Sequence, residues 1–188
     1  MFRIIAPSQF VTTRWKNGGG LTHEIARDRE GDDWHWRLSI ADVASDGPFS
    51  VFKGYARILT VIEGAGLALN TPEGTLHALP LQPVAFSGDV AIDSRLVRGV
   101  VRDFNVIHDP FCVAAEVAVI TGPVTVDAGP GLAGLLCLMG DVAVMGTPVA
   151  PGACALGTLG SIRLAEGAMA IVVTLAPVQT EATSPATA

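Results

Sequence analysis

The stretch Trp34-His35-Trp36-Arg37-Leu38-Ser39-Ile40 alternates large apolar side chains with polar ones. Because successive side chains of a β-strand point to opposite faces, this alternation predicts a strand that buries its tryptophan face in a core. The opposite face carries His35, Arg37 and Ser39. That face either meets solvent or lines a cavity, and one strand does not decide between the two.

Short apolar or alternating runs of this kind recur along the chain, separated by many of its 21 glycines and 12 prolines. Helical periodicity is weak throughout, so the sequence predicts an all-β protein of the closed or double-sheet antiparallel type. The fourteen predicted strands are 2–5, 21–26, 34–43, 56–62, 66–69, 84–86, 90–94, 100–107, 113–120, 135–138, 142–144, 154–156, 161–164 and 168–176.

A weak internal repeat in the spacing of turns suggests two stacked halves. The turns compared are 61–64, 79–83 and 87–89 in the first half and 138–141, 148–152 and 165–167 in the second. Similar spacing favours a duplicated β-unit, although the two halves share no residue-level identity.

Charge is distributed unevenly between these halves. Residues 1–103 hold 11 of the 12 basic and 12 of the 18 acidic side chains. We therefore expect the chemistry in a first domain, residues 1–108, whose strands can be exchanged with the second half. The second domain is expected over 109–176, and the segment 177–188 is too poor in apolar residues to order itself.

The overall composition argues against several classes of partner. A net charge of −6 argues against nucleic acid, because Lys and Arg must neutralise phosphates there. The chain has no signal-like start and no unbroken apolar span, so we expect a cytoplasmic protein without membrane contact. Charged residues make up only 16% of the chain, which is compatible with a buried self-association surface and a homodimer.

Metal and covalent chemistry give no strong signal. The four histidines form no H-x-H or H-E-x-x-H motif, and the three cysteines form no C-x-x-C motif. Ser50 lacks the glycine elbow of a nucleophilic serine. We therefore predict no metal ion and no cofactor.

The most informative charge is Arg57, at the start of a predicted strand that is apolar on both faces. Burying a guanidinium without a carboxylate or a ligand is costly. Arg57 therefore either forms a structural ion pair with an acid such as Asp103 or binds a ligand. Asp103 and Asn105 share one face of their strand, and they mark a pocket if that face points inward.

The glycine-rich segment 15–20, Trp-Lys-Asn-Gly-Gly-Gly, predicts a tight turn between two strands. Its backbone amides can form an anion-binding concavity beside Lys16. Because the lysine precedes the glycines, the segment is not a nucleotide-binding P-loop. A plain connecting turn is the alternative.

Taken together, these stretches resemble the HutD/Ves family of β-barrel proteins related to cupins. The resemblance implies a bicupin, in which two double-stranded β-helix barrels of the cupin (jelly-roll) type occupy residues 1–108 and 109–176. The chain lacks the H-x-H and downstream Glu/His of metal-binding cupins, which agrees with a metal-free member. The matching segments are 15–26, 36–41, 47–50 with Gly54 and Arg57, 63–64, 86–89 and 103–106.

The resemblance also implies a regulatory or accessory role in histidine utilisation, through binding of a small carboxylate such as urocanate or formylglutamate. In that role Arg57 is expected to anchor the carboxylate. Lys16 and Asn17 would close the rim, and Asp103 and Asn105 would orient the ligand or Arg57.

Two other functions stay open at this point. A small hydrolase or isomerase of the same acids would use His23 or Glu24 as its general base. A protein-interaction scaffold would use apolar surface, and the polar residues would then be structural ion pairs. His23, Glu24 and Arg37 complete the candidate ligand-binding residues.

Overall fold

The computed structural model describes residues 1–31 and 33–178. Over these residues it contains nineteen β-strands and one short 3-10 helix, Pro7–Gln9, which confirms the all-β prediction. The strands are β1 (Phe2–Ile5), β2 (Val11–Arg14), β3 (Gly20–Arg27), β4 (Trp36–Val43), β5 (Gly47–Pro48), β6 (Ala56–Glu63), β7 (Leu67–Thr71), β8 (Gly74–Ala78), β9 (Val84–Ser87), β10 (Asp93–Leu96), β11 (Val101–His108), β12 (Val113–Thr121), β13 (Val124–Asp127), β14 (Leu132–Met139), β15 (Val142–Val144), β16 (Thr147–Val149), β17 (Cys154–Gly157), β18 (Ser161–Leu164) and β19 (Met169–Pro177).

All fourteen predicted strands are present. Five further strands, β2, β5, β8, β13 and β16, were not predicted, and each lies at the edge of its sheet. These five strands have two to five residues each and are mostly exposed, so the apolar signal in their sequences is weak. Of the predicted tail 177–188, Pro177 instead pairs with Val113 at the end of β19, and residues 179–188 lie outside the described residues.

The strands form four sheets. Their orders are β2-β3-β4-β11-β6-β9, β5-β10-β7-β8, β1-β17-β14-β19-β12 and β13-β18-β15-β16. Strand β1 pairs antiparallel with β17. The first residues of the chain therefore belong to a sheet whose other strands all follow residue 112.

Two runs of eight strands, β4–β11 and β12–β19, repeat the same pairings. In the first run β11 lies between β4 and β6, and in the second β19 lies between β12 and β14. A register shift falls at the same place in both, beside Asp103 in β11 and beside Cys137 in β14. This shared irregularity aligns the two runs residue by residue.

The predicted turn repeat is confirmed only in part by this alignment. The turns at 61–64 and 138–141 follow the equivalent strands β6 and β14. The turns at 87–89 and 165–167 follow β9 and β18, which are not equivalent. Turn spacing misplaced the last landmark mainly because β7 and β8 have five residues each, whereas their equivalents β15 and β16 have three.

The largest core cluster lies between the six-stranded and the five-stranded sheet. It contains Leu38 and Phe104 from the first sheet and Ile171 from the second. Because side chains alternate along a strand, Arg37 and Asp103 point away from this core. The polar face of β4 is therefore turned toward the interior beside the sheet β5-β10-β7-β8.

Each large sheet also packs against a four-stranded sheet. Leu59 and Leu67 belong to the cluster that joins the six-stranded sheet to β5-β10-β7-β8, and Leu135 and Ile162 belong to the cluster in the other pair. Across residues 1–31 and 33–178, no helix has the length and apolarity that crossing a bilayer requires.

Candidate functional site

A cavity of about 700 Å³ lies on the inward face of the six-stranded sheet, beside the loop 47–52. It contains seven of the eight predicted site residues. The residues that line it are Val11, Thr13, Arg14, Trp15, Lys16, Asn17, Thr22, Glu24, Arg27, Glu30, Arg37, Ser39, Ala41, Pro48, Phe49, Ser50, Phe52, Arg57, Asp103, Asn105 and Ile107. The polar face of β4 thus lines a cavity at Arg37 and Ser39.

Arg57 is held by neutral partners. It is only 7% exposed, its Nη2 donates to Oδ1 of Asn105 at 2.8 Å, and its Nη1 donates to the carbonyl oxygen of Ser50 at 3.4 Å. Nδ2 of Asn105 in turn donates to Oδ1 of Asp103. The expected ion pair between Arg57 and Asp103 is therefore replaced by a contact through the Asn105 amide.

Three phenylalanine rings surround the Arg57 guanidinium. Its Cζ lies 5.4 Å from the ring centroids of Phe49 and Phe52 and 5.0 Å from that of Phe86. Aromatic faces attract a cation at these distances and exclude water from it. The rings fix the charge beside the cavity.

Burial changes the proton affinity of both charged groups. It lowers the pKa of Arg57 to about 10, an effect that the negative charge of Asp103 opposes, so Arg57 remains a cation at neutral pH. It raises the pKa of Asp103 to about 7, while Arg57 and the hydrogen bond from Asn105 act in the opposite direction.

Arg37 supplies a second guanidinium on the same wall. It faces Ile107 across the β4–β11 pairing, and Arg57 faces Ile107 from β6. Cζ of Arg37 lies 5.2 Å from the centroid of the Trp34 ring and 5.0 Å from that of the Phe52 ring. Burial lowers the pKa of Arg37, which Glu24 opposes.

The glycine-rich segment forms part of the cavity rim. Lys16 and Asn17 line the cavity, and Oδ1 of Asn17 accepts a 3.0 Å hydrogen bond from the amide of Gly19. Trp15 packs edge-on against Phe49, with ring centroids 6.0 Å apart. A Cβ at Gly20 would lie 2.3 Å from the carbonyl oxygen of Asp42, so the turn requires glycine there.

The structure separates His23 from Glu24. Glu24 lines the cavity, and its Oε1 lies 3.0 Å from Nε of Arg27. His23 does not line the cavity; its Nε2 lies 2.8 Å from Oδ2 of Asp42 and its Nδ1 lies 2.8 Å from Oγ1 of Thr12. Adjacent residues of a strand point to opposite faces, which explains the separation.

The cavity wall is cationic although the chain is acidic. Five basic side chains line it, against the three acidic residues Glu24, Glu30 and Asp103. The basic ones are Arg14, Lys16, Arg27, Arg37 and Arg57. Such a wall favours a small anion, which charge-assisted hydrogen bonds can hold.

Sequence reasoning did not assign the aromatic residues of the site. Phe49 and Phe52 lie in the segment 47–55, which contains little regular structure after β5. Strand alternation therefore does not predict in which direction these two side chains point, and the spacing Phe-x-x-Phe was the available signal. Arg14 was missed because β2 was not predicted, and Arg27 was missed because it lies one residue beyond the predicted strand 21–26.

No metal centre is evident in the described part of the chain, since no three His, Cys, Asp or Glu side chains converge there. The three cysteines, Cys112, Cys137 and Cys154, are free thiols.

The sequence pattern of the HutD family matches residues 7–182. An uncharacterised 21.2 kDa protein in the hutC 3′ region of Pseudomonas putida is 50% identical over 111 residues, which cover 57% of this chain. The chain spans 58% of the length of that curated relative.

Solved structures are similar to this chain over almost its whole length. HutD from Pseudomonas fluorescens SBW25, solved in a formate condition, is 34% identical with a TM-score of 0.83, covering 95% of this chain and all of that one. A Cupin 2 conserved barrel domain protein from Leptotrichia buccalis is 11% identical with a TM-score of 0.59, covering 93% of this chain and 96% of that one, and shows a cupin-like fold. Because the family pattern extends over most of the sequence, this chain belongs to the HutD family.

Proposed function

We propose that this protein binds a small carboxylate in the cavity beside Arg57 and acts as an accessory or regulatory factor of histidine utilisation. Urocanate and formylglutamate are the ligands we propose to test first. The hutC-region location of the Pseudomonas putida relative supports the link to histidine utilisation. No metal ion takes part in the proposed binding.

The observation that carries this proposal is the state of Arg57. The guanidinium is 7% exposed, lines the cavity and is hydrogen-bonded only to an amide and a carbonyl oxygen among the described residues. A buried cation without a direct carboxylate partner is stabilised by an anionic ligand. Arg37 stands two strands away on the same wall and extends the cationic surface.

The proposal includes a bicupin architecture. The repeated pairings of β4–β11 and β12–β19 support two cupin-like barrels, with β1 exchanged into the second. In this arrangement the ligand site belongs to the first barrel, within residues 1–108.

Binding without turnover is favoured over catalysis by the placement of the candidate bases. His23 faces away from the cavity, and Glu24 is engaged by Arg27. A general base must reach the substrate proton directly or through one water molecule. Recovery of unchanged urocanate and formylglutamate, followed by NMR, distinguishes a binder from a hydrolase or isomerase.

Calorimetric titration with urocanate and formylglutamate tests the anchor. Arg57→Ala is expected to weaken carboxylate affinity roughly a hundredfold, because a buried charge-assisted pair is lost. Arg57→Lys is expected to restore part of the affinity, since a point charge replaces the planar fork. The matched control is Arg98→Ala, an exposed arginine outside the cavity. Equal heats for wild type and a folded Arg57→Ala protein would contradict the proposal.

A homodimer and a cytoplasmic location stay predictions from the composition. Light scattering of the purified protein tests the first, and cell fractionation tests the second.

A further inference from the structure

The carboxyl group of Asp103 ends a hydrogen-bond chain that runs in one direction. Arg57 carries only donors, so Asn105 must present Oδ1 to it. This orientation leaves Nδ2 of Asn105 to donate to Oδ1 of Asp103. Oδ2 of Asp103 is buried and has no hydrogen-bond partner among the described residues, and the side chain is 0% exposed.

We infer that Asp103 takes up a proton from solvent when the cavity binds an anion, so that carboxylate binding is coupled to proton uptake. The inference rests on the proposed function, because it describes the regulation of the same site. The proton adds to the free Oδ2, and Asn105 keeps its hydrogen bond to Oδ1. Asp103 is thus a positioning residue, and its effect on the ligand is transmitted through Asn105 and Arg57.

The reason is the competition of two negative charges for the same cation. In the empty cavity, the charge of Arg57 favours the ionised form of Asp103. A bound carboxylate brings a second negative charge to Arg57 and removes part of this support. In a water-poor site the ionised Asp103 is then the less stable form, and protonation removes the repulsion.

The other charges around Asp103 do not replace Arg57. From β4, Asp42 disfavours the ionised form, and across the β6 pairing Asp103 faces the apolar Val61. From the small sheet, Leu67 and Leu69 belong to the apolar cluster that also contains Val61. The remaining charged groups that line the cavity are Arg14, Lys16, Glu24, Arg27, Glu30 and Arg37.

The expected consequence is a carboxylate affinity that falls as pH rises. Asp103 already has a pKa near neutrality in the empty protein. Below that pH it is protonated in both states and affinity is constant. Above it, binding takes up as much as one proton, and affinity falls by up to roughly tenfold per pH unit until the pKa of the complex is reached.

Proton uptake can be measured directly with formylglutamate, whose carboxyl groups stay ionised throughout the neutral range. Wild-type protein and ligand, brought to the same pH near 8 in weakly buffered solution, are mixed while a pH-stat counts the protons consumed. The expected result is an uptake of up to one proton per bound ligand. Titration calorimetry from pH 6 to 9 should show the matching loss of affinity.

Asp103→Asn removes the titrating group and keeps the side-chain shape. This variant is expected to take up no proton and to show an affinity that is flat with pH. Asp93→Asn, an exposed aspartate of β10, is the matched control and should behave as wild type. If Asp103→Asn does not fold, the ¹³C carboxyl resonance of Asp103 in wild type serves instead, and its titration midpoint should rise on adding formylglutamate.

The outcomes separate the two proposals. Binding of formylglutamate with no proton uptake and no movement of the Asp103 midpoint overturns this inference and leaves the proposed function standing. Proton uptake that persists in a folded Asp103→Asn protein assigns it to another group and also overturns the inference. Failure of both formylglutamate and urocanate to bind overturns the proposed function, and this inference with it.

Discussion

The two runs of eight strands share their pairings and their bulge, yet their interiors differ in chemistry. Register places Val172 and Ala170 of β19 where β11 has Asn105 and Asp103. The same alignment places Ala133 where β6 has Arg57. The same backbone pairing therefore accommodates either a polar or an apolar interior, and the inward side chains decide which interior contains the cationic cavity.

The difference also shows how each interior is stabilised. In the second run, small and branched apolar side chains form the buried cluster, and it contains no charged residue. In the first run, one end of the interior is packed by residues such as Leu59 and Val61. The other end is the open cationic cavity, whose buried polar groups contribute little net stability.

The largest expected effect tests the apolar interior. Leu135 is fully buried, and Leu59 is its equivalent in the first run. Leu135→Ala should lower the free energy of unfolding by about 2–5 kcal/mol, because it removes apolar contacts and leaves a cavity. Denaturant unfolding measures this, with the partly exposed Leu76→Ala as control. Carboxylate affinity should be unchanged in Leu135→Ala, and a large loss would show that the two interiors are coupled.

The next effect sharpens the comparison by making the first interior resemble the second. Arg57→Met, Asp103→Leu and Asn105→Leu together should raise the free energy of unfolding by about 1–4 kcal/mol and abolish carboxylate binding, since well-packed apolar residues often stabilise more than a buried polar network. Asn105→Leu alone should be destabilising, because it removes the hydrogen bond to the buried Asp103 carboxyl group and the shorter of the two hydrogen bonds that hold Arg57. A triple variant less stable than wild type would show that the polar chain supports the fold.

The smallest effect concerns the pH dependence of stability. Burial raises the pKa of Asp103 from an ordinary 3.8 to about 7. The folded state therefore binds this proton more tightly than the unfolded state, and the resulting stability is present below about pH 4 and lost as pH rises through 7. We therefore compare the free energy of unfolding of Asp103→Asn with that of wild type at each pH. Between pH 5 and pH 8 this difference should shift in favour of the variant by roughly 2 kcal/mol, or about 5 °C in Tm.

Thermal unfolding at both pH values measures this difference. Asp93→Asn is the control, and its difference from wild type in free energy of unfolding should be the same at both pH values. If the difference between Asp103→Asn and wild type is the same at both pH values, Asp103 does not titrate near neutrality in the folded protein.

Much of the cavity lining was predictable because its signals are local. Arg57 stands out as a charge inside an apolar run, and the alternation around Asp103 and Asn105 places both on one face. Seven of the eight candidates line the cavity. His23 does not, because its position beside Glu24 on one strand allows only one of the two to face inward.

The contacts that define the site were not predictable in the same way. The expected pair of Arg57 and Asp103 depends on whether two side chains 46 positions apart meet, and the structure inserts Asn105 between them. The phenylalanine rings around Arg57 come from a loop and from β9. Strands β2 and β8 escaped prediction because nearly all of their side chains are exposed, so their sequences show no apolar period.

The sequence by itself determined an all-β chain and the polar residues of the first half, because strand alternation and a charge within an apolar run are local properties. Only the tertiary structure decided that the polar faces of β4 and β11 line a cavity and that Arg57 would meet aromatic rings and an amide instead of a carboxylate. It also decided that one interior would stay open while its repeat was filled. These outcomes depend on packing between segments far apart in the chain, and local patterns carry no information about which distant side chains meet.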